Sequence, residues 1–158
     1  KRSDCFVLPA LSKGSGQFPD SSGRVEGESA FRRDPAYAYH ALNLSLAIQT
    51  REAVRAAGGL SKGMPLFIEG GFRNNDIYTR MVSEMFPEND VYTTGVEQAT
   101  SLGAAICALS AISGNGPEKA AGRLVNISKK RIPKINFMRG YLKSYATKFL
   151  RSCFTTGT

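Results

Sequence analysis

Pro65-Leu66-Phe67-Ile68 is an apolar run that breaks off at Glu69-Gly70-Gly71, and apolar residues then return at four-residue spacing as Ile77, Met81 and Met85. The run predicts a short strand, and the spacing predicts a helix from about Asn75 to Phe86 that Pro87 stops. Asp90-Val91-Tyr92-Thr93 reads as the next short strand. A helix of this length is enough to carry the chain back over a sheet, so the two strands are expected to be parallel neighbours. The unit predicts an α/β domain with helices laid against a sheet.

The joint itself, Phe67 to Asp76, is the leading candidate for a binding site. Gly70 and Gly71 lack Cβ atoms, so both can take positive φ and let a ligand approach the backbone closely. The helix that follows offers unpaired N–H groups and the positive end of a dipole, which suits an anion. An Asn amide there supplies a donor and an acceptor, the pattern that pairs with the edge of adenine. Open α/β sheets place ligands at the carboxyl ends of their strands. The plainer reading is a turn in which the glycines redirect the chain and Asn74 or Asn75 only caps the helix. No G-K-[ST] follows the glycines and the spacing is not G-x-G-x-x-G, so neither standard nucleotide motif applies.

Around this unit, Cys5 to Leu11 reads as a buried strand ended by Pro9, and Ser12 to Glu28 as a polar connection with the turn-like Pro19-Asp20-Ser21-Ser22-Gly23. Asp34-Pro35 supplies a cap and a first-turn proline for a helix running to about Ala57, with Gly58-Gly59 ending it. Its apolar residues, among them Tyr37, Leu42, Leu44 and Ile48, cover more than one stripe and predict a mostly buried helix. Glu97 is expected to open a helix to about Ile112, whose Ala104, Ala105 and Ala108 permit close approach of a neighbour before Gly114-Asn115-Gly116-Pro117 closes it.

The chain's 158 residues, 42% hydrophobic and 22% charged, suit one soluble domain with a sizeable core. No apolar run reaches the roughly 18–20 residues of a membrane span. Cys5, Cys107 and Cys153 are odd in number and far apart, which predicts reduced thiols and a cytoplasmic setting. The net charge of +8 concentrates near the C-terminus, in Lys129, Lys130, Arg131, Lys134, Arg139, Lys143 and Lys148. A positive tail attracts nucleic acid or an acidic partner. Here, however, Ile132, Ile135, Phe137, Leu142, Tyr145 and Phe149 interleave with it, the pattern of an amphipathic helix at about 139–152 docked on a core with its lysines in water. Nucleic acid is therefore disfavoured, and the competing reading is a non-catalytic orphan domain that binds a protein partner or nucleic acid through this basic tail. His40 stands alone, and Ser45 lacks a nucleophile's context, so neither a metal site nor covalent catalysis is expected.

The stretch FIEGGFRNNDIYTRMVSEMFPENDVYTTGVEQATSLGAAICAL resembles the C-terminal domain of the FGGY carbohydrate kinases: a strand ending in Gly-Gly, a helix, a short strand, then an E-x-x-A-x-G-A-A helix, here Glu97, Ala99 or Thr100, and Leu102-Gly103-Ala104-Ala105. Upstream, CFVLPALSKGSGQFPDSSGRV resembles the family's V-P-A-type strand and P-F-P-like turn, and the ending IPKINF…YLKSYATKFL resembles the fuculokinase and rhamnulokinase-like members. The resemblance implies the C-terminal actin-like, ribonuclease H-like ATPase domain of a two-domain sugar kinase, incomplete here. Residues 1–158 would be one nucleotide-binding fragment, with 117–158 a basic extension ending in a helix and the N-terminal sugar-binding domain absent. The intact enzyme would move the ATP γ-phosphate to a sugar or polyol hydroxyl, and a homodimer is compatible with it. Carried over, Gly70 and Gly71 contact the nucleotide, Phe72 stands at the adenine wall, and Asn75 matches a family Asn near the base. Many members have Gly or Ala at the position of Phe72, whose ring would either stack on adenine or fill its pocket. Catalytic residues and Mg2+ ligands are expected outside this chain, since no D-x-G-T phosphate signature occurs in it and Asp4, Asp20, Glu69 and Asp76 lack a general base's context. The fragment alone is then expected to be inactive.

Overall fold

The structure is a computed structural model, and it describes residues 4–10, 12, 16–96, 98–124, 128–136 and 139–154. In chain order these form β1 (Phe6–Val7), β2 (Val25–Glu26), α1 (Glu28–Arg33), α2 (Pro35–Ala56) and β3 (Leu66–Ile68). After a 3-10 turn (Gly70–Asn74) come α3 (Asp76–Met85), β4 (Val91–Thr94), α4 (Ala99–Ser113), α5 (Pro117–Leu124), β5 (Lys129–Arg131) and α6 (Arg139–Phe154). The expected strand–helix–strand unit is present: β3 and β4 pair in parallel, with Leu66 opposite Val91 and Ile68 opposite Thr93.

Two pairings were not legible in the residue pattern. β1 is only two residues long and pairs antiparallel with β2, inside the stretch read as a connection. β5, three cations in a row, pairs antiparallel with β4, Thr93 opposite Lys130. Such a segment has no apolar period to announce it; the open edge of β4 and two side-chain tethers hold it. Arg131 bonds the Asp90 carboxylate at 2.6 Å, and the Lys129 ammonium lies 5.1 Å from the centre of the Tyr92 ring.

The helix ends follow their local signals. Asp34 caps α2 by accepting from the Tyr37 N–H at 3.0 Å, and Gly58 and Gly59 leave the helix at φ 107° and 76°. Leu44, Ala47 and Ile48 of α2 are buried, whereas Leu42 and His40 are exposed, so α2 buries one broad face and not its whole circumference. On α3 Met85 is buried as expected, but it shares its stripe with Tyr78 and Val82, while the expected Ile77 and Met81 are only half-buried. The reason is the neighbour. α3 lies parallel to α2 and turns toward it the residues that meet Asn43, Thr50 and Arg51.

The C-terminal helix docks as expected. Leu142, Tyr145, Ala146, Phe149 and Cys153 of α6 are buried, and Lys143 and Lys148 are exposed. Phe149 closes an aromatic cluster with Phe6 and Phe18, at ring separations of 6.3 and 6.4 Å, in tilted edge contacts that aromatic quadrupoles favour. Tyr145 donates its hydroxyl to the carbonyl of Cys5, tying the last helix to the first strand.

α4 departs from expectation. It is the most apolar helix among the described residues, yet it buries no residue, and its small residues Ala104, Ala105 and Ala108 are exposed. Ile112 is 86% exposed and Cys107 is exposed rather than packed. The face of the sheet that carries Phe67 and Tyr92, stacked on each other at 5.5 Å, is also open, Phe67 being 46% exposed. Glu97 and Phe137 lie outside the described residues; α4 itself begins at Ala99. No helix among the described residues is long and apolar enough to cross a membrane.

Candidate functional site

Gly70 takes φ +70°, the left-handed conformation a side chain resists, and this turns the chain sharply out of β3. Gly71 has no such conformation; it enters a 3-10 turn that was not expected and that precedes α3. A Cβ built at either glycine meets nothing within 4 Å among the described residues, so none of them fills the corner. The first N–H groups of a 3-10 turn have no acceptor within it, and this turn presents them at the strand end.

Two side chains pin the corner to the neighbouring strand. Arg73 donates through one nitrogen to the carbonyls of Thr94 and Val96, at 3.1 and 2.6 Å. The Thr94 hydroxyl donates to one oxygen of Glu69 and accepts the Val96 N–H at 3.2 Å. The other oxygen of Glu69 is buried and has no hydrogen-bond partner among the described residues. The ends of β3 and β4 and the backbone of Val96 are thus one bonded unit.

Asn75 caps α3. Its Oδ1 accepts the Tyr78 N–H at 3.0 Å and its Nδ2 donates to Oδ1 of Asn43 at 2.7 Å. Asn43 is 2% exposed and donates in turn to the Tyr39 carbonyl at 2.8 Å. Phe72 rests on Tyr78, ring centres 4.6 Å apart and planes 39° apart, and is 48% exposed. Tyr78 is buried and bonded to the Thr50 hydroxyl at 2.7 Å. The four residues singled out by sequence therefore fall into three roles: Gly70 and Gly71 form an open backbone corner, Phe72 offers a half-exposed ring, and Asn75 caps.

Arg73, Thr94 and Asn43 were not among the expected site residues. A signal existed for one of them: Asn43 is a single amide inside the apolar stretch Ala41 to Ile48. The joint is a surface corner and not an enclosed cavity. A cavity of about 440 Å³ lies elsewhere, between α2, α3 and α6, with Leu44, Met81 and Tyr141 in its wall and none of the four joint residues. No cluster of three or more His, Cys, Asp or Glu placed to hold a metal occurs among the described residues.

A parallel strand–corner–helix unit, with a backbone corner left open at the strand ends, defines an α/β domain, and strand ends are where open α/β sheets place ligands. The family model "Carbohydrate kinase FGGY, C-terminal domain" matches residues 2–118, and the chain belongs to that family, whose domain has an actin-like fold. The chain is similar in structure to a carbohydrate kinase from Novosphingobium aromaticivorans, with a TM-score of 0.62 at 19% identity over 96% of this chain. It spans 28% of the length of that relative. No curated protein matches the sequence.

Proposed function

We propose that these residues are the nucleotide-binding part of a cytoplasmic carbohydrate kinase, which in its intact form transfers the ATP γ-phosphate to the hydroxyl of a sugar or polyol. The observation that carries the reading is the corner at Gly70 and Gly71: a left-handed turn, space left by the described residues where a Cβ would stand, and N–H groups at the opening of a turn. Phosphate oxygens are met well by such groups, because charge-assisted hydrogen bonds are the stronger ones. The residues present fit a nucleotide. We assign any Mg2+ to the nucleotide and to residues outside this chain; the described residues bring no three His, Cys, Asp or Glu together to hold one. ATP supplies the transferred group; this chain's part is to hold it, since phosphoryl transfer is catalysed largely by positioning.

The open face of the sheet and the apolar surface of α4 support a division of labour within a longer enzyme. Phe67, Tyr92 and the residues of α4 are the surfaces we assign to contact with the remaining, sugar-binding part. Residues 117–158 form the basic extension, and its resemblance to the ending of fuculokinase and rhamnulokinase-like members lies beyond residue 118, where the family match stops. Several of its cations serve the fold: Lys134 donates to the carbonyls of Pro87 and Asn89, Arg131 to Asp90 and Lys148 to Asp4. This weakens the competing reading of a nucleic-acid-binding module.

The test is ATP binding by the 158-residue chain with and without Gly71→Val. The variant has room to fold but fills the space the phosphates need. It should weaken ATP about 10²-fold, one lost charge-assisted bond being worth roughly 1.5–3 kcal/mol. Equal ATP affinity in a folded variant would sink the assignment. The chain alone should phosphorylate no ketose, aldose or polyol in a coupled assay; turnover that survives repurification would place the catalytic residues here after all.

A further inference from the structure

We infer that this corner selects its nucleotide by stacking the base on Phe72 and not by reading the base's edge, so that ATP and GTP bind with similar affinity; the inference rests on the nucleotide reading above. An amide that reads adenine must turn its oxygen and its nitrogen to the base together. Asn75 already makes one bond to the protein from each, the oxygen accepting the Tyr78 N–H at 3.0 Å and the nitrogen donating to Asn43 at 2.7 Å. These two bonds fix the plane of the amide to suit the helix cap and Asn43, not a base. The cap fixes which end is oxygen, so a flipped amide would face donor to donor. Asn74 is exposed, and there a bond to the base only replaces one to water and discriminates little. Large discrimination needs a buried polar group that a wrong partner leaves unpaired, as sites built around such a bond achieve.

What the corner does offer is a platform. Phe72 is backed on Tyr78, which is itself held by Thr50, while about half of the Phe72 surface faces water. A ring fixed in this way loses little freedom when a base lies on it. Stacking is tolerant of base identity, because every base has a π-face, and it favours purines by their larger area. Phe72 is two residues from Gly70, so a phosphate chain on the glycine corner leaves the base within reach of the ring.

The experiment titrates the 158-residue chain with ATP, GTP, CTP and inorganic triphosphate by ligand-observed NMR. The expected result is ATP and GTP within about threefold of each other, CTP weaker, and triphosphate weakest. Phe72→Leu should lower ATP and GTP alike by roughly tenfold, Phe72→Tyr should restore both, and Asn75→Ala should leave the ATP-to-GTP ratio unchanged. A preference for ATP above about twentyfold overturns the inference, as does a folded Phe72→Leu variant that binds both nucleotides as before. Those outcomes leave the nucleotide reading standing. Failure of the wild-type chain, folded by circular dichroism, to bind any nucleotide removes that reading and this inference with it.

Discussion

Asn75 Nδ2 lies 2.7 Å from Oδ1 of Asn43, a side-chain bond between two parallel helices from residues thirty-two positions apart. One partner is almost fully buried, and the other caps α3 at the edge of the candidate site. Local helix architecture and tertiary packing meet in that pair.

Asn75→Ala removes the cap and leaves the buried Asn43 oxygen without its donor. The expected cost is about 1–3 kcal/mol, from the loss of a cap and of one satisfied polar group. Asn75→Ser keeps a capping oxygen and should recover part of it. Urea unfolding followed by circular dichroism measures both, and an unchanged midpoint for Asn75→Ala would contradict the pairing.

Phe149 is fully buried among Phe6 and Phe18. Phe149→Ala should cost roughly 3–5 kcal/mol, a large part of the 5–15 kcal/mol that stabilises an ordinary domain. Lys143→Ala, on the exposed side of the same helix, should change stability by less than about 0.5 kcal/mol. Thermal unfolding of the two variants beside the parent tests whether α6 belongs to the core. Equal effects would mean it does not.

The bond from Arg131 holds the Asp90 carboxyl below its usual range, with further help from the charges of Arg131 and Lys134. A carboxyl whose folded value is depressed stabilises the fold above its unfolded value and loses that contribution as pH falls through the folded one. The window therefore lies below about pH 4, where β5 should loosen from β4. NMR titration should find Asp90 low in the parent and returned toward the ordinary value in Arg131→Ala. An Asp90 that titrates alike in both would exclude the tether.

Burial pushes the Cys153 thiol up to about 11 and raises that of Cys5, whereas Cys107 is exposed on α4. Since the thiolate is the reactive form, Ellman's reagent at pH 8 should modify one thiol rapidly and two only after unfolding. Cys107→Ser should abolish the rapid phase. A rapid phase of two thiols would show that α6 leaves the core readily.

Most helix ends were legible because their causes are local. Asp34-Pro35 starts α2, Gly58-Gly59 ends it, Pro87 follows α3, and Gly114 ends α4 at φ 66°, each within a few residues of the backbone group it satisfies or the conformation it permits. The parallel pairing of β3 and β4 was legible from the length of the connection between them. The glycine corner was legible as a place, but only Gly70 needed its glycine for a left-handed turn.

What the sequence alone determined, then, is the order and type of the principal elements and the position of the strand–corner–helix joint. Capping, turn conformation and amphipathic spacing act over one or two turns of chain. Tertiary structure decided the rest. It placed Lys129–Arg131 as a strand because β4 had an open edge, rotated the buried stripe of α3 to meet α2, and committed the Asn75 amide to Asn43. It also left α4 with no buried residue despite its apolar composition. Burial and side-chain partnership are properties of pairs of surfaces, and no local pattern specifies which surface will lie opposite.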